Sequence, residues 1–570
     1  MTQHELPLVA RATSDRPIAR PHNKRVVIIG GVAGGMSAAT RLRRLDNNAD
    51  IIVVERTGHV SYANCGLPYF VGGVIEKAES LLLQTPASLY ERFRIDVRVH
   101  SEALSIDRAT REVQVLNLSN DDMYRIPFDY LILSPGASAV IPPIAGIERA
   151  LALRTVEDVE RMVSAVAHGP RRAVVIGGGF IGVEIAENLV HRGITTALVE
   201  STEQVLAPLD PEMAQLVAAE MRRNSVEVFL NDAVEEITPS AVRLNSGAIV
   251  SADLVVVAVG VRPDTSLARE AGLKIGQRGG VAVDEFSRTS DHRIYAVGDA
   301  AEKVDALDGQ ATLVPLANLA NRHGRVVADH IAGRIVRPLA TIGTAIVKVF
   351  DLTVAITGWN EKHLRAQGRE FLAIHTHPAS HAGYYPGARP MALKLLLDPV
   401  TGVILGAQGV GAEGVDKRID VLATAIRGGI SGPELADLEL AYAPPFGSAK
   451  DPVNMLGYIA ENVLSGLVRT VQWSEVNGYR ERGSVLVDVR TRKEFSDGSL
   501  PGAVNIPVDE IRERVEEVRG SSLVVICQGG QRAHTATLLF TELGLDAKNL
   551  DGGYQTWRSS PANLEPLLVA

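Results

Sequence analysis

Cysteine is nearly absent from this chain, with Cys65 and Cys527 the only two among 570 residues. Two thiols cannot make a disulfide framework, and no CxxC or Cys/His grouping has the spacing of structural zinc, so no metal is expected. Aromatic residues are few, at 5%. Long apolar runs are missing too. Stretches such as "LVVVAVGV" are far too short to span a bilayer, and the opening "MTQHELPLVARATSDRPIARPHNK" has no apolar core of signal-peptide length. A net charge of -9, with both signs mixed along the chain, leaves no basic stripe for a polyanion. Membrane and nucleic acid are therefore not expected as partners, and the chain reads as a cytoplasmic protein of a reducing compartment. Its length allows three to five domains of roughly 100–200 residues, behind a loose tail over residues 1–23.

What is present begins with "KRVVIIGGVAGGMSAATRLRRL", a buried-strand run, a glycine turn and an amphipathic helix, then "DIIVVER" ending at Glu55. This is a βαβ nucleotide unit. Its glycines, Gly30, Gly34 and Gly35, allow a tight turn and bring a pyrophosphate to the helix N-terminus, where free N–H groups favour anions. Glu55 stands where an acid accepts ribose hydroxyls. Val32 occupies the second glycine position of a strict GxGxxG. A second unit, "RRAVVIGGGFIGVEIAENLVHRGITTALVES", has Gly177, Gly179 and Gly182 in register and a strand ending at Glu200. Two units imply two nucleotides. Glu200 would repel a 2′-phosphate and no arginine follows it directly, which favours NADH over NADPH.

Further on, "FDYLILSPGA", "LVVVAVGVRP" and "TSDHRIYAVGDAA" are apolar strands running into small-residue turns. With them, residues 24–465 resemble the flavoprotein disulfide reductases, which bind two dinucleotides. The resemblance implies FAD in the first unit, with Asp299 beside Gly298 on its ribityl and phosphate part, and Gly136 and Gly260 at crossovers close to the cofactors. It also carries Ala33, Arg56, Asn64, Ser134, Pro135, Phe180 and Ala317 over to the cofactor sites. The implied fold is α/β: an FAD domain in two parts (24–150 and 276–335), an NAD(H) domain (151–275), and an α+β dimerisation domain (336–466) that makes a homodimer and brings part of itself over the partner's active site.

Cys65 lies in "SYANCGLPYF", directly after the first unit. Relatives with an internal disulfide carry two cysteines there; this chain has one, so Cys65 must pair with an external sulfur or hold a sulfenate. The polar, glycine-containing setting reads as a helix start that stabilises a thiolate. The phrase "SYANCGLPY" with "GGVAGG" upstream resembles the coenzyme A disulfide reductase branch of this family. The histidine by which peroxidase-like relatives act on peroxide is missing from the first turn. The resemblance places Arg41 and Arg44 near the 3′-phosphate of coenzyme A and Ser61 and Tyr62 near its pantetheine end. It also makes Tyr384 and Tyr385 of "HAGYYPGA" acids for the leaving thiolate. A second tyrosine motif reads "YAPPFGSAKDPVN" here, with Phe446 at the tyrosine position and Tyr442 one helical turn's worth of sequence away.

From Trp473 the pattern restarts as short strands and helices over residues 467–570. The phrases "GSVLVDVRTRKEFSDGSLPGAVNIP" and "SSLVVICQGGQRAHTATLLFTELGL" resemble the rhodanese sulfurtransferase domain, with Ser499 where a histidine is usual. Cys527 ends a strand and opens a loop to Arg532 before a helix. Such a loop cradles sulfur in backbone N–H groups, and Arg532 adds positive charge. Asp488 reads as structural. Joined, the two resemblances imply a reductase in which NADH reduces FAD, and FAD passes electrons to Cys65 held as a mixed disulfide or persulfide. The substrate would be coenzyme A persulfide, polysulfide or coenzyme A disulfide, with sulfane sulfur handled by Cys527. Two other readings remain: an NADH oxidase with an independent sulfurtransferase domain, and a redox-sensing sulfur carrier.

Overall fold

The computed structural model describes residues 23–563, so nearly all of the expected tail lies outside the described residues. The first sheet is parallel, in the order Ile294–Ala296, Tyr130–Leu133, Arg25–Ile29, Asp50–Val54, Asp96–Arg98. Its central strand, Arg25–Ile29, is apolar on both faces, because one face packs against Met36, Leu42 and Val327 and the other against Ile126, Leu131 and Leu273. A continuous hydrophobic run is what a doubly covered parallel strand requires. The helices Ala33–Leu45 and Ala317–Ile331 cover one face together.

Between Leu133 and Ile294 the chain leaves this sheet and returns. Strands Ala137–Ala139 and Val261–Pro263 pair antiparallel as the outgoing and incoming stems. Between them lies a second parallel sheet, ordered Glu227–Phe229, Thr195–Val199, Arg172–Ile176, Leu254–Val257, Leu151–Ala152. The second nucleotide-type unit is thus inserted within the first.

A five-stranded antiparallel sheet follows, in the order Ala345–Val349, Leu352–Gly358, Ile404–Gly411, Met391–Leu397, Leu372–Thr376, packed against helices Val415–Gly428 and Pro452–Leu464. The last unit is a parallel sheet ordered Thr470–Val471, Asp546–Leu550, Ser522–Ile526, Val485–Asp488, Val504–Asn505. This is the α/β fold class expected from the sequence. No helix among the described residues is long and apolar enough to cross a membrane.

Candidate active site

The two nucleotide turns are built alike. Gly30 has φ +98° and donates its N–H to Val54 O; a Cβ there would fall 2.0 Å from Ser134 O, so only glycine fits. Gly31 N–H donates to Glu55 Oε2 at 2.8 Å, and Glu55 Oε1 accepts from the N–H and hydroxyl of Thr57, each at 2.8 Å. In the second turn Gly178 N–H donates to Glu200 Oε2 at 2.7 Å, and Thr202 donates twice to Glu200 Oε1 at 2.8 Å. Each carboxylate is oriented by its own turn and keeps lone pairs for a ribose diol. The threonine two residues after each glutamate escaped the sequence reading, although "ERT" and "EST" display it. Gly177 and Gly182 pack at backbone contact, whereas Gly179 faces open space before Phe180 starts its helix.

Four segments converge beside the first turn. A Cβ on Gly34 would meet Val297 at 2.9 Å and Ser134 Oγ at 3.0 Å, and one on Gly298 would meet Ala320 at 3.7 Å and Ser134 Oγ at 3.8 Å. Gly35 abuts Gly30 O, and Gly136, at φ +79°, faces the Arg154 guanidinium. The turn Gly30–Gly35, the segment Ser134–Gly136, the pair Gly298–Asp299 and the helix beginning at Ala317 therefore make one cradle of small residues, as a pyrophosphate and ribityl chain would need. Pro135 follows Ser134 in this wall, and Gly260, at φ +117°, accepts from Val140 N–H at the stem of the inserted unit. Arg56 is exposed at the edge of an open cleft of about 780 Å³ shared with Thr57, His100, Glu157 and Arg161.

Arg154 had no part in the sequence reading and stands at the centre of this region. Its guanidinium donates to Asp299 Oδ2 at 2.7 Å and to Ala137 O at 3.0 Å. The Asn64 amide faces it; turned so that both its ends are satisfied, it donates to Arg154 O at 2.9 Å and accepts from Nη1 at 3.3 Å. Behind Asp299, the buried Lys303 donates to Gly298 O at 2.7 Å and to Ala301 O at 2.8 Å, and burial pushes its ammonium down to about 8.

Cys65 is exposed, in the three-residue turn Asn64–Gly66 that precedes a helix of only five residues, Leu67–Val71. So short a helix does not depress a thiol as expected. In the chain alone, burial of its surroundings pushes the Cys65 thiol up, Glu184 and Asp299 push it further, and Arg154 opposes them. Glu184 also escaped notice. Burial raises it to about 7, although the Tyr69 hydroxyl donates to it at 3.2 Å.

The expected coenzyme A contacts divide. Arg41 donates to Asp329 Oδ1 from Nε at 3.0 Å and Nη2 at 2.6 Å, because the helix Ala317–Ile331 lays that carboxylate across it. Arg44 is exposed and makes no ion pair among the described residues. Ser61 adopts φ +49° and accepts from Leu83 N–H. Tyr62 is a core residue packed with Leu67, Val71 and Leu81, not a groove wall. Tyr384 is 76% exposed and Phe446 72%, with Tyr385 beside them. The hydroxyls of Tyr384 and Tyr442 lie 2.7 Å apart, so Tyr442 joins the group.

In the C-terminal unit Cys527 is 1% exposed, and Gly530 N–H donates to its Sγ at 3.1 Å. The loop is held from behind by Tyr554 N–H on Cys527 O at 2.8 Å and Gln555 N–H on Gln528 O at 3.0 Å. Arg532, second residue of the helix Gln531–Glu542, sends both terminal nitrogens to Glu494, at 2.8 and 2.6 Å. Its positive charge therefore reaches the cradle as half of an ion pair, which the sequence reading missed. Ser499 donates to Asp488 at 2.5 Å; Asp488 holds Arg490, and Arg490 reaches Gln528 of the cysteine loop at 3.1 Å. The serine in the usual histidine position thus supports the loop.

Two dinucleotide folds, one inserted in the other, and a single thiol beside the first cradle define an oxidoreductase body, joined to a smaller α/β domain with a buried thiol of its own. The chain belongs to the pyridine nucleotide-disulphide oxidoreductase family, which it matches over residues 24–324, with that family's dimerisation domain over 344–452 and a rhodanese-like domain over 473–560. It is 34% identical over 441 residues to the coenzyme A disulfide reductase of Staphylococcus aureus (strain JH9), covering 77% of this chain and 100% of the relative. Among solved structures it resembles the reduced CoADR-RHD of Bacillus anthracis, with TM-score 0.93, 46% identity, and 95% and 98% of the two chains covered. A NAD-dependent persulfide reductase from A. fulgidus is also similar, with TM-score 0.88, 38% identity, and 94% and 100% covered.

Proposed function

We propose that this chain uses NADH to reduce coenzyme A persulfide, polysulfide or coenzyme A disulfide at Cys65, with sulfane sulfur carried on Cys527. One observation carries the reading: the single thiol of the reductase body lies within electrostatic reach of Asp299 and Arg154, at the cradle of the first nucleotide unit. The names of the similar proteins, a coenzyme A disulfide reductase and a NAD-dependent persulfide reductase, support the substrate class.

The glycines Gly30, Gly34, Gly35 and Gly298, with Glu55, Ser134 and Asp299, would hold FAD; Gly177, Gly179, Phe180, Gly182 and Glu200 would hold NADH. When bound, FAD supplies two-electron carrier chemistry between nicotinamide and sulfur. The chain's own part starts with the Cys65 thiolate attacking R–S–S–R′. That S–S bond breaks, Cys65–S–S–R forms, and R′–S⁻ leaves with no net change in electrons. An electron pair originating in NADH and one proton then cleave the new bond, giving R–SH and the Cys65 thiolate, while a second proton converts R′–S⁻ to R′–SH. With R′ as hydrogen, the second product is hydrogen sulfide.

Arg154 favours the thiolate at each return, whereas Glu184 and Asp299 restrain it. Arg44, exposed and without an ion pair among the described residues, would be a cation for the phosphates of coenzyme A. Tyr384 and Tyr442 would serve the partner's Cys65 in a homodimer, donating to the departing sulfur. Two thiols, one of them exposed, suit a reducing cytoplasm.

The test is anaerobic NADH oxidation with coenzyme A persulfide against coenzyme A disulfide, quantifying sulfide. Turnover on either should exceed that on oxygen, and Cys65→Ser should lower it at least about a hundredfold, as loss of a nucleophile does. Oxygen outpacing both substrates, with Cys65→Ser silent, would sink the reading.

A further inference from the structure

A buried histidine on the edge strand Leu372–Thr376 of the antiparallel sheet has no part in the reaction above. The His375 N–H donates to both oxygens of Asp551, at 3.2 and 3.0 Å; its Nδ1 lies 2.5 Å from Asp551 Oδ2, and its Nε2 lies 3.0 Å from Glu212 Oε1. With a carboxylate at each ring nitrogen, both nitrogens must donate, so the ring is an imidazolium. Asp551 belongs to the rhodanese-like domain. Glu212 belongs to the inserted nucleotide unit, in the helix Pro211–Arg223. Three domains meet on one ring.

On the body side the bridge continues. Lys394 Nζ, wholly buried, meets Glu212 at 2.5 Å, Glu361 at 2.6 Å and Asp210 at 2.9 Å, filling the middle of three carboxylates. Gln408 pairs with Asp210 through its amide nitrogen at 2.7 Å and its amide oxygen at 2.8 Å. On the sulfur side, Asp551 opens the turn Asp551–Gly553, which backs the Cys527 loop. A Cβ on Gly553 would fall 2.4 Å from Cys527 O, and the next residue, Tyr554, donates to that carbonyl. Just past the end of that strand, His377 Nε2 lies 2.7 Å from Thr556 Oγ1, and Gly529 of the cysteine loop stands against its ring.

We propose that His375 is a positioning residue for Cys527: it clamps Asp551 of the rhodanese-like domain to Glu212 of the reductase and so fixes the sulfur-carrying loop on the body. Only the sulfur-carrying role of that loop rests on the reading above; the clamp itself does not. A charge buried among charges on three domains is expensive unless every partner is in place, so the bridge tolerates one docked arrangement and penalises the others.

The charged and titratable groups facing His375 are Asp551 from the rhodanese-like turn, Glu212 from the helix, Lys394 from the neighbouring strand and His377 just beyond the end of its own. Burial alone would strip the proton from His375. Asp551 and Glu212 outweigh it and hold the ring up to about 9 against Lys394. Burial, with the nearby positive ring, pushes His377 down to about 3 and keeps it neutral. A histidine whose value is raised on docking favours the docked state fully below its ordinary value, near 6.5, and that advantage is lost as pH rises through about 9.

The test is hydrogen–deuterium exchange on the full-length protein, read on peptides covering 549–558 with peptides of the first sheet as reference, at pH 7 and pH 9.5 after correction for intrinsic rates. Wild type should be protected at pH 7 and lose protection about tenfold at pH 9.5. His375→Gln and Asp551→Asn should each exchange fast at both pH values, without the pH step. The double variant should be no worse than either alone, as expected for two halves of one interaction. Thiocyanate formation from thiosulfate and cyanide should fall about tenfold in both variants, while turnover of coenzyme A disulfide added directly stays at wild-type rate. A pH step that persists in His375→Gln, additive losses in the double variant, or loosening of the first-sheet peptides in both variants would overturn the clamp. If wild type forms no thiocyanate, the sulfur-carrying reading fails, and the exchange data still decide the clamp.

Discussion

At the scale of single residues, the chemistry turns on how one thiol is charged. Burial opposes the ionisation of Cys65, Glu184 and Asp299 oppose it further, and Arg154 favours it. Glu184 titrates near 7, so above that pH it carries the negative charge that holds the thiol up. Alkylation by iodoacetamide between pH 6 and 10 reads the balance directly. Glu184→Gln should shift the profile to lower pH and speed the reaction at pH 8, whereas Arg154→Met should shift it upward and slow it, each by up to about tenfold, the size of a one-unit change. Identical profiles in both variants would remove these residues from the account. Much of this was out of reach in the sequence. Cys65, Glu55 and Glu200 announce themselves through motif and spacing. Arg154 lies outside the motif phrases and Glu184 lies unmarked within the second, and both gain meaning only when segments far apart in the chain bring them to one sulfur. Arg41 shows the reverse: its helix position invited a phosphate, and only the packed structure shows Asp329 already there.

Among elements, the contact between helices Ala33–Leu45 and Ala317–Ile331 sets the shape of the first cradle. Gly324 lies against Gly34 so tightly that a Cβ on it would fall 2.2 Å from Gly34 O. Gly324→Ala should force the helices apart at about 1–3 kcal/mol, the usual cost of overpacking, lowering Tm and the flavin retained on purification together. An unchanged Tm with full flavin content would show that the backbone yields there without strain. The strands and helices themselves were plain in the sequence, because unbroken apolar runs and glycine turns mark parallel strands and their crossovers. The five-residue helix after Cys65 was less plain: "NCGLPYF" has the small and polar residues of a helix start but no run of turns behind it.

For the whole molecule, the order of parts could be followed along the chain, since each nucleotide unit repeats one local grammar. How the parts lean on one another could not, because His375, Asp551, Glu212 and Lys394 lie in four unrelated stretches. The exposed group of Tyr384, Tyr442 and Phe446 belongs to the dimerisation domain, and in the proposed homodimer it serves the other subunit. Mixed dimers test this. Co-assembly of Cys65→Ser and Tyr384→Phe subunits pairs an intact Cys65 with an intact Tyr384 from its neighbour, so the mixture should recover about a quarter of wild-type turnover from random reassortment. Activity no higher than the mean of the two parent variants would mean that the tyrosine serves its own subunit.

The insertion of one nucleotide unit inside the other has a consequence for synthesis. Strand Tyr130–Leu133 needs strand Ile294–Ala296 beside it, and that partner emerges roughly 160 residues later, on the order of ten to thirty seconds at about 5–20 residues per second. During that interval a nascent chain holds an open sheet edge while its inserted unit can already close. The first unit to begin on the ribosome is therefore not the first to finish.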